Sequence, residues 1–154
     1  MDKFEEYRFF AESTQWLTER RQVATQIYLG VNTAIFAVIG FLYKDGTLGG
    51  WRLVILLAPL IAVGLIVSLI WYKLIMNYKE IINFRYDELM AMEGKIDGSH
   101  LMYRREFKEL YSPGKKKWFG FSALEKYLPW FFILLYFLLL VVLIWGAYCG
   151  ILIP

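Results

Sequence analysis

Very little in this chain could carry covalent chemistry. It has one cysteine, Cys149, and one histidine, His100, in 154 residues. A lone cysteine forms no intrachain disulfide, so no covalent framework is expected to hold the fold. Cys149 has no basic neighbour to draw out a thiolate and reads as a small apolar packing residue. His100 falls in a polar turn with no cysteine nearby, the setting of a surface imidazole rather than a metal ligand or a general base. A glycine-rich phosphate loop is missing. Glu106 and Glu109 alternate with Arg104, Arg105 and Lys108, the pattern of a solvated helix rather than of a carboxylate pair set apart for acid–base work. No catalytic site, cofactor or metal is expected, and the chain does not read as an enzyme.

Charge is missing in a second and more informative way. Of all the Lys, Arg, Asp and Glu residues, only Lys44, Asp45 and Arg52 lie outside residues 1–25 and 73–126. What remains is apolar, in a chain that is 58% hydrophobic and 19% aromatic. A soluble domain of this size is about 45–50% apolar, so the excess calls for a solvent other than water. The uncharged runs are residues 27–43, 53–72 and 129–154. About 20 helical residues cross a hydrocarbon core of about 30 Å, and each run can supply them, the first with help from Thr25 and Gln26. Residues 1–25 are charged and amphipathic and do not have the form of a cleavable leader.

Basic residues set the expected orientation. Lys3, Arg8, Arg20 and Arg21 precede the first run, Lys44 and Arg52 sit between the first two, and the rest lie in 73–126. The positive-inside rule then places the N-terminus and the long loop in the cytoplasm and the C-terminus outside. Tyr28, Tyr43, Trp51, Tyr72, Trp130 and Tyr148 flank the runs as headgroup anchors.

The fold class that follows is an all-α integral membrane protein, a single membrane domain over 1–154. Its elements are a cytoplasmic amphipathic helix over 1–25, spans over 26–43, 51–72 and 128–152, and a short cytoplasmic helix over 99–111. The second span continues as a cytoplasmic helix to 93, because Leu74, Tyr78, Ile81, Ile82, Phe84, Leu89 and Met92 keep helical spacing up to Gly94. In the N-terminal helix, Phe9, Trp16 and Val23, with Phe10, Leu17 and Ala24, form one apolar stripe. That stripe suits either the membrane surface or the neighbouring helix. Ser122 and Glu125 fit a capping box before the last span, and Pro129 predicts a kink.

No Asp, Glu, Lys, Arg or His lies within the three apolar cores, which argues against a coupled ion carrier. Asn32 and Thr33 are the strongest polar feature there. They would line a path, or more economically join helices by hydrogen bonds. Small residues four apart (Gly30 and Ala34, Ala58 and Ala62, Gly64 and Ser68, Gly146 and Gly150) favour close helix approach and self-association. Arg20 and Arg21 precede the first span and read as anchors on lipid phosphate, or as partners of Asp87, Glu88 or Glu93 on the projecting helix. Lys115, Lys116 and Lys117, beside Trp118 and Phe119, suit an anionic lipid surface, and are weak evidence for nucleic acid.

Three stretches together resemble the RipA-like octameric membrane proteins of bacteria and, more distantly, the SLATT-type small membrane proteins. The first holds Ser13, Arg20-Arg21 and Asn32-Thr33. The second holds Trp71, Tyr78, Asn83, Arg85, Leu89 and Glu93, with Arg85 where relatives are expected to carry Lys. The third holds Glu125 and Pro129 where the chain meets the membrane for the last time. The resemblance implies a homo-oligomeric ring of eight copies in the bacterial inner membrane, serving a defence or stress system as an effector or accessory. A cytoplasmic protein partner is compatible with it. On that reading Arg20, Arg21, Asp87, Glu88 and Glu93 would couple the N-terminal helix to the projecting one. A constitutive channel or small-solute transporter lined by Asn32 and Thr33, and a structural scaffold without conduction, remain as alternatives.

Overall fold

The computed structural model describes residues 3–44, 49–96, 100–111 and 121–150. Within them lie four helices, α1 (Lys3–Lys44), α2 (Gly50–Glu93), α3 (Met102–Tyr111) and α4 (Phe121–Tyr148). Three of these, α1, α2 and α4, are long and apolar enough to cross a membrane. The amphipathic segment and the first span are one unbroken helix of 42 residues, about 63 Å long at 1.5 Å per residue. In the 44 residues of α2 the second span likewise runs straight into its projecting part. In hydrocarbon no water can satisfy a peptide group, so each span closes its own backbone hydrogen bonds as a helix.

Burial along α2 follows a strict seam. Leu57, Ile61, Gly64, Ser68, Trp71 and Ile75 are buried at steps of three and four, and Ile82 and Leu89 follow at steps of seven. That spacing keeps one face turned to the neighbouring helices through a shallow left-handed crossing. The α1 and α4 helices both pack on this face. In the core, Phe36 stacks on Tyr136 with ring centroids 4.6 Å apart, Tyr28 lies parallel to Trp71 at 6.1 Å, and Phe132 tilts against Trp71.

The N-terminal apolar stripe divides in two. Phe10, Leu17 and Ala24 are half-buried, whereas Phe9, Trp16 and Val23 point away from the bundle, with Phe9 66% exposed. Because α1 leaves the span without a break, the stripe runs on along the bundle axis instead of turning onto the membrane plane. Pro129 lies inside α4 and is fully buried. Having no N–H, it releases the carbonyl of Glu125 from the helical ladder. Ser122 is within α4, which begins at Phe121, and its side chain lies outside the described residues, as do residues 112–120 with Lys115, Lys116 and Lys117. The last span ends at Tyr148.

Gly64 admits the Tyr136 ring into α2. A Cβ there would overlap the ring itself, whereas one at Gly40 would meet nothing. A backbone position that already holds an aromatic ring has no room for a methyl group, and overpacking of this kind costs about 1–3 kcal/mol. Gly64→Ala is expected to lower the Tm of the detergent-solubilised protein by several degrees, while Gly40→Ala leaves it in place. Equal melting of both variants would show that Tyr136 does not occupy the notch.

Candidate functional site

Polar side chains at the helix interfaces form a ladder of four connections, each joining segments far apart in the chain. The deepest is Asn32 in α1, which is fully buried. Its Nδ2 donates to the Tyr28 carbonyl at 2.8 Å. Its Oδ1 accepts from Ser68 Oγ of α2 and from Tyr136 Oη of α4, each at 3.0 Å. All three spans thus meet on one amide oxygen. Thr33, next in sequence, points outward and donates its hydroxyl to the Leu29 carbonyl. Asn32 and Thr33 therefore face different surroundings and do not line one path.

The second connection lies eleven residues nearer the N-terminus of α1. Arg21 Nη2 stands 3.3 Å from Glu125 Oε2 of α4, with the two side chains only 13% and 11% exposed. Arg21 Nε and Glu125 Oε2 make no hydrogen bond among the described residues, so this is a charge contact rather than an aligned bidentate fork. Thr25 Oγ1 and Trp71 Nε1 are likewise buried without a hydrogen bond among the described residues. From sequence Arg21 reads as a lipid-phosphate anchor or as a partner of Asp87, Glu88 or Glu93 on α2; the structure places it against Glu125 of α4. Arg20 turns outward and lies over the Trp16 ring, 4.3 Å from its centroid.

In the projecting part, Arg85 of α2 donates Nη1 to Ser13 Oγ of α1 at 2.7 Å and lies over the Phe10 ring. Ser13 passes its own proton to the Phe10 carbonyl. At the far end Glu93 is 2% exposed, yet its carboxylate is well supplied with donors. Tyr7 Oη of α1 donates to its Oε1 at 3.0 Å, and the backbone N–H groups of Tyr103 and Arg104 donate to Oε1 and Oε2 at 3.1 and 3.3 Å. Those two amides belong to the first turn of α3, whose preceding residue, Leu101, has no capping side chain and takes a left-handed φ of 48°. Glu93 supplies from α2 the cap that α3 lacks locally, and its charge suits the positive end of that helix. Burial and the bond to Glu93 raise the Tyr7 hydroxyl well above the ordinary phenol range, so it remains a neutral donor. Asp87 and Glu88 are exposed.

Glu93 thus does join the projecting helix to the N-terminal one, through Tyr7 and not through either arginine. Tyr7, Tyr136 and Glu125 are the partners that the sequence reading missed. One signal was present: Tyr7, Thr14, Arg21 and Tyr28 recur at intervals of seven, a polar column on the seam face of α1. Among the described residues no group of three or more His, Cys, Asp or Glu side chains could hold a metal ion. The arrangement joins α1, α2, α3 and α4 through side chains at their interfaces.

A buried ion pair is worth most when one half is removed. Arg21→Met or Glu125→Met leaves an uncompensated charge and is expected to cost about 3–5 kcal/mol, whereas the double variant regains most of the loss. Denaturation of the four proteins in one detergent gives the coupling directly. Additive losses would mean that Arg21 and Glu125 act independently.

Comparison with known proteins gives one match. Residues 4–145, nearly the whole chain and all four helices, match the octameric membrane protein family. No curated protein and no solved structure matches.

Proposed function

The chain belongs to the octameric membrane protein family, and from that premise we propose that it is a non-enzymatic, homo-oligomeric ring of the bacterial inner membrane that serves a defence or stress system. In this reading the projecting parts of α1 and α2 lie in the cytoplasm, as the excess of Lys and Arg in residues 1–25 and 73–126 favours. They receive a signal or a cytoplasmic protein partner. The response is a change in membrane permeability or recruitment of the partner to the membrane.

The observation that carries the reading is the continuity of α1 and α2 through the spans into the projecting helix pair. Its tip is tied by Tyr7 and Glu93, its middle by Ser13 and Arg85, and its membrane end by Arg21 and Glu125. A displacement at the tip therefore reaches the spans through helices without a joint. Coupling of this kind needs an element with two arrangements, and a ring of helices whose mutual contacts shift by a step provides one. A channel lined by Asn32 is less well supported, since that amide is consumed inside the bundle.

The test is phage or envelope-stress challenge of the native host, with and without the gene, while membrane potential is followed with a dye. Protection accompanied by a fall in potential supports a permeability effector. Protection at intact potential supports recruitment or a scaffold. Glu93→Ala, which uncouples Tyr7 and α3, is expected to abolish protection while the protein still assembles. Equal survival with and without the gene under every challenge would remove the defence reading.

A further inference from the structure

From the cytoplasmic half of the molecule we infer the subunit interface of the ring: the outward face of α1 in one copy packs against the outward face of α2 in the next. This rests on the family's self-assembly and on no assumption about defence. Phe9, Trp16 and Val23 are 66%, 53% and 51% exposed, and on α2 Phe84 is 63% exposed. Lipid does not explain them. At 1.5 Å per residue, Trp16 lies about 14 Å beyond Thr25, and Phe84 about 18 Å beyond Tyr72, outside the hydrocarbon. Large apolar side chains repeated at intervals of seven in water mark a helix seam awaiting a partner.

The two faces are on opposite sides of one subunit. Trp16 is two residues past the buried Thr14, and Phe84 two past the buried Ile82, so each lies about 200° around its helix from the α1–α2 seam. In the interface inferred here the two different faces meet head to tail, the kind of contact that closes into a ring when the rotation between copies divides the circle. Copies inserted in the same orientation are related by rotation about the membrane normal, so touching residues share a height. Heights can be read from the contacts within one subunit: in Tyr7–Glu93, Ser13–Arg85, Tyr28–Trp71 and Asn32–Ser68 the residue numbers add up to about 100. That register sets Trp16 opposite Phe84, Gly30 opposite Ile70 and Ala37 opposite Val63.

The pairs fit in size. In the membrane the α1 face is small, and a Cβ at Gly30 would meet nothing within its own subunit, whereas Val63 and Ile70 on α2 are half exposed. Small residues against large ones allow backbones to approach where no hydrophobic force acts between helices. Outside it, the register sets Trp16 against Phe84, with Phe9 opposite Ala91 and Val23 opposite Asn77. The stripe Phe9, Trp16, Val23, Gly30, Ala37 thus changes from large to small where its solvent changes from water to lipid.

The experiment is crosslinking in native membranes with a short bis-maleimide, in a Cys149→Ser background. Trp16→Cys/Phe84→Cys and Ala37→Cys/Val63→Cys are expected to give a ladder of bands ending at the full ring, and each of the four single variants none. Both pairs are exposed in the subunit, so folding is preserved. Dimers from a single cysteine variant would mean a face meeting itself and would overturn the proposal. No ladder from either pair, in particles whose mass is still that of a ring, would place the interface elsewhere and leave self-assembly intact. A monomeric mass would overturn both.

Discussion

One side-chain amide decides how the three spans stand. Asn32 is the point at which α1, α2 and α4 touch through polar groups at depth, and its oxygen takes both available protons, from Ser68 and Tyr136. Between apolar helices in lipid there is little hydrophobic preference for one rotation or one height over another, since tails and side chains are alike. Directed bonds supply that preference. Each is worth about 0.6 kcal/mol on average in membrane proteins, so their role is less to add stability than to choose among packings of similar energy. Around the amide the choice is completed by shape: Gly64 opens a notch for the Tyr136 ring, Phe36 lies on that ring, and Tyr28 and Trp71 stack one layer below.

Away from the membrane centre the connectors change from neutral to charged as the surroundings become wetter. An amide with two hydroxyls gives way to Arg21 with Glu125, then to Arg85 with Ser13, and finally to Glu93 with Tyr7 and the amides of α3. The gradient is physically sensible. Fully desolvating a charge costs several kcal/mol, so the ions lie away from the membrane centre, and at Glu93, 2% exposed, three donors offset the burial. The terminal connector is the densest. Glu93 ends α2, begins α3 and holds α1, so a single carboxylate sets the geometry of the tip.

The three long apolar helices and the unbroken run of α2 to Glu93 were legible because they depend on runs of residue types. A bilayer excludes charge along about 20 residues at a time, and a signal of that length survives without knowledge of any contact. Contacts were legible only where chemistry left few choices. An asparagine in an apolar span must find partners, so its role as a link between helices followed from burial alone, but nothing local pointed to Tyr136, more than a hundred residues away. In the sequence Arg21 suits lipid phosphate or the acids of α2, the next helix in the chain, and Glu125 suits a helix cap. Height would have discriminated: Arg21 and Glu125 each sit four residues before Thr25 and Pro129, where their helices enter the membrane. The N-terminal stripe was seen as one face, and its division into a half facing α2 and a half facing outward depended on where α2 stands. Of the residues that suggested the family, Ser13, Arg21, Asn32, Trp71, Arg85, Glu93 and Glu125 make contacts between helices or are buried there, whereas Arg20, Thr33 and Asn83 are exposed.

The notch at Gly64 also says something about the order in which the molecule is made. The Asn32 amide enters the membrane first with one donor satisfied locally by Tyr28. Ser68 arrives next, on the following helix. Tyr136 is synthesised 104 residues after Asn32, as part of the last span. That last helix fills the notch at Gly64 and the remaining acceptor site of Asn32 with a single ring and its hydroxyl. The final span is therefore the closing piece, and birth of the subunit has a defined last step.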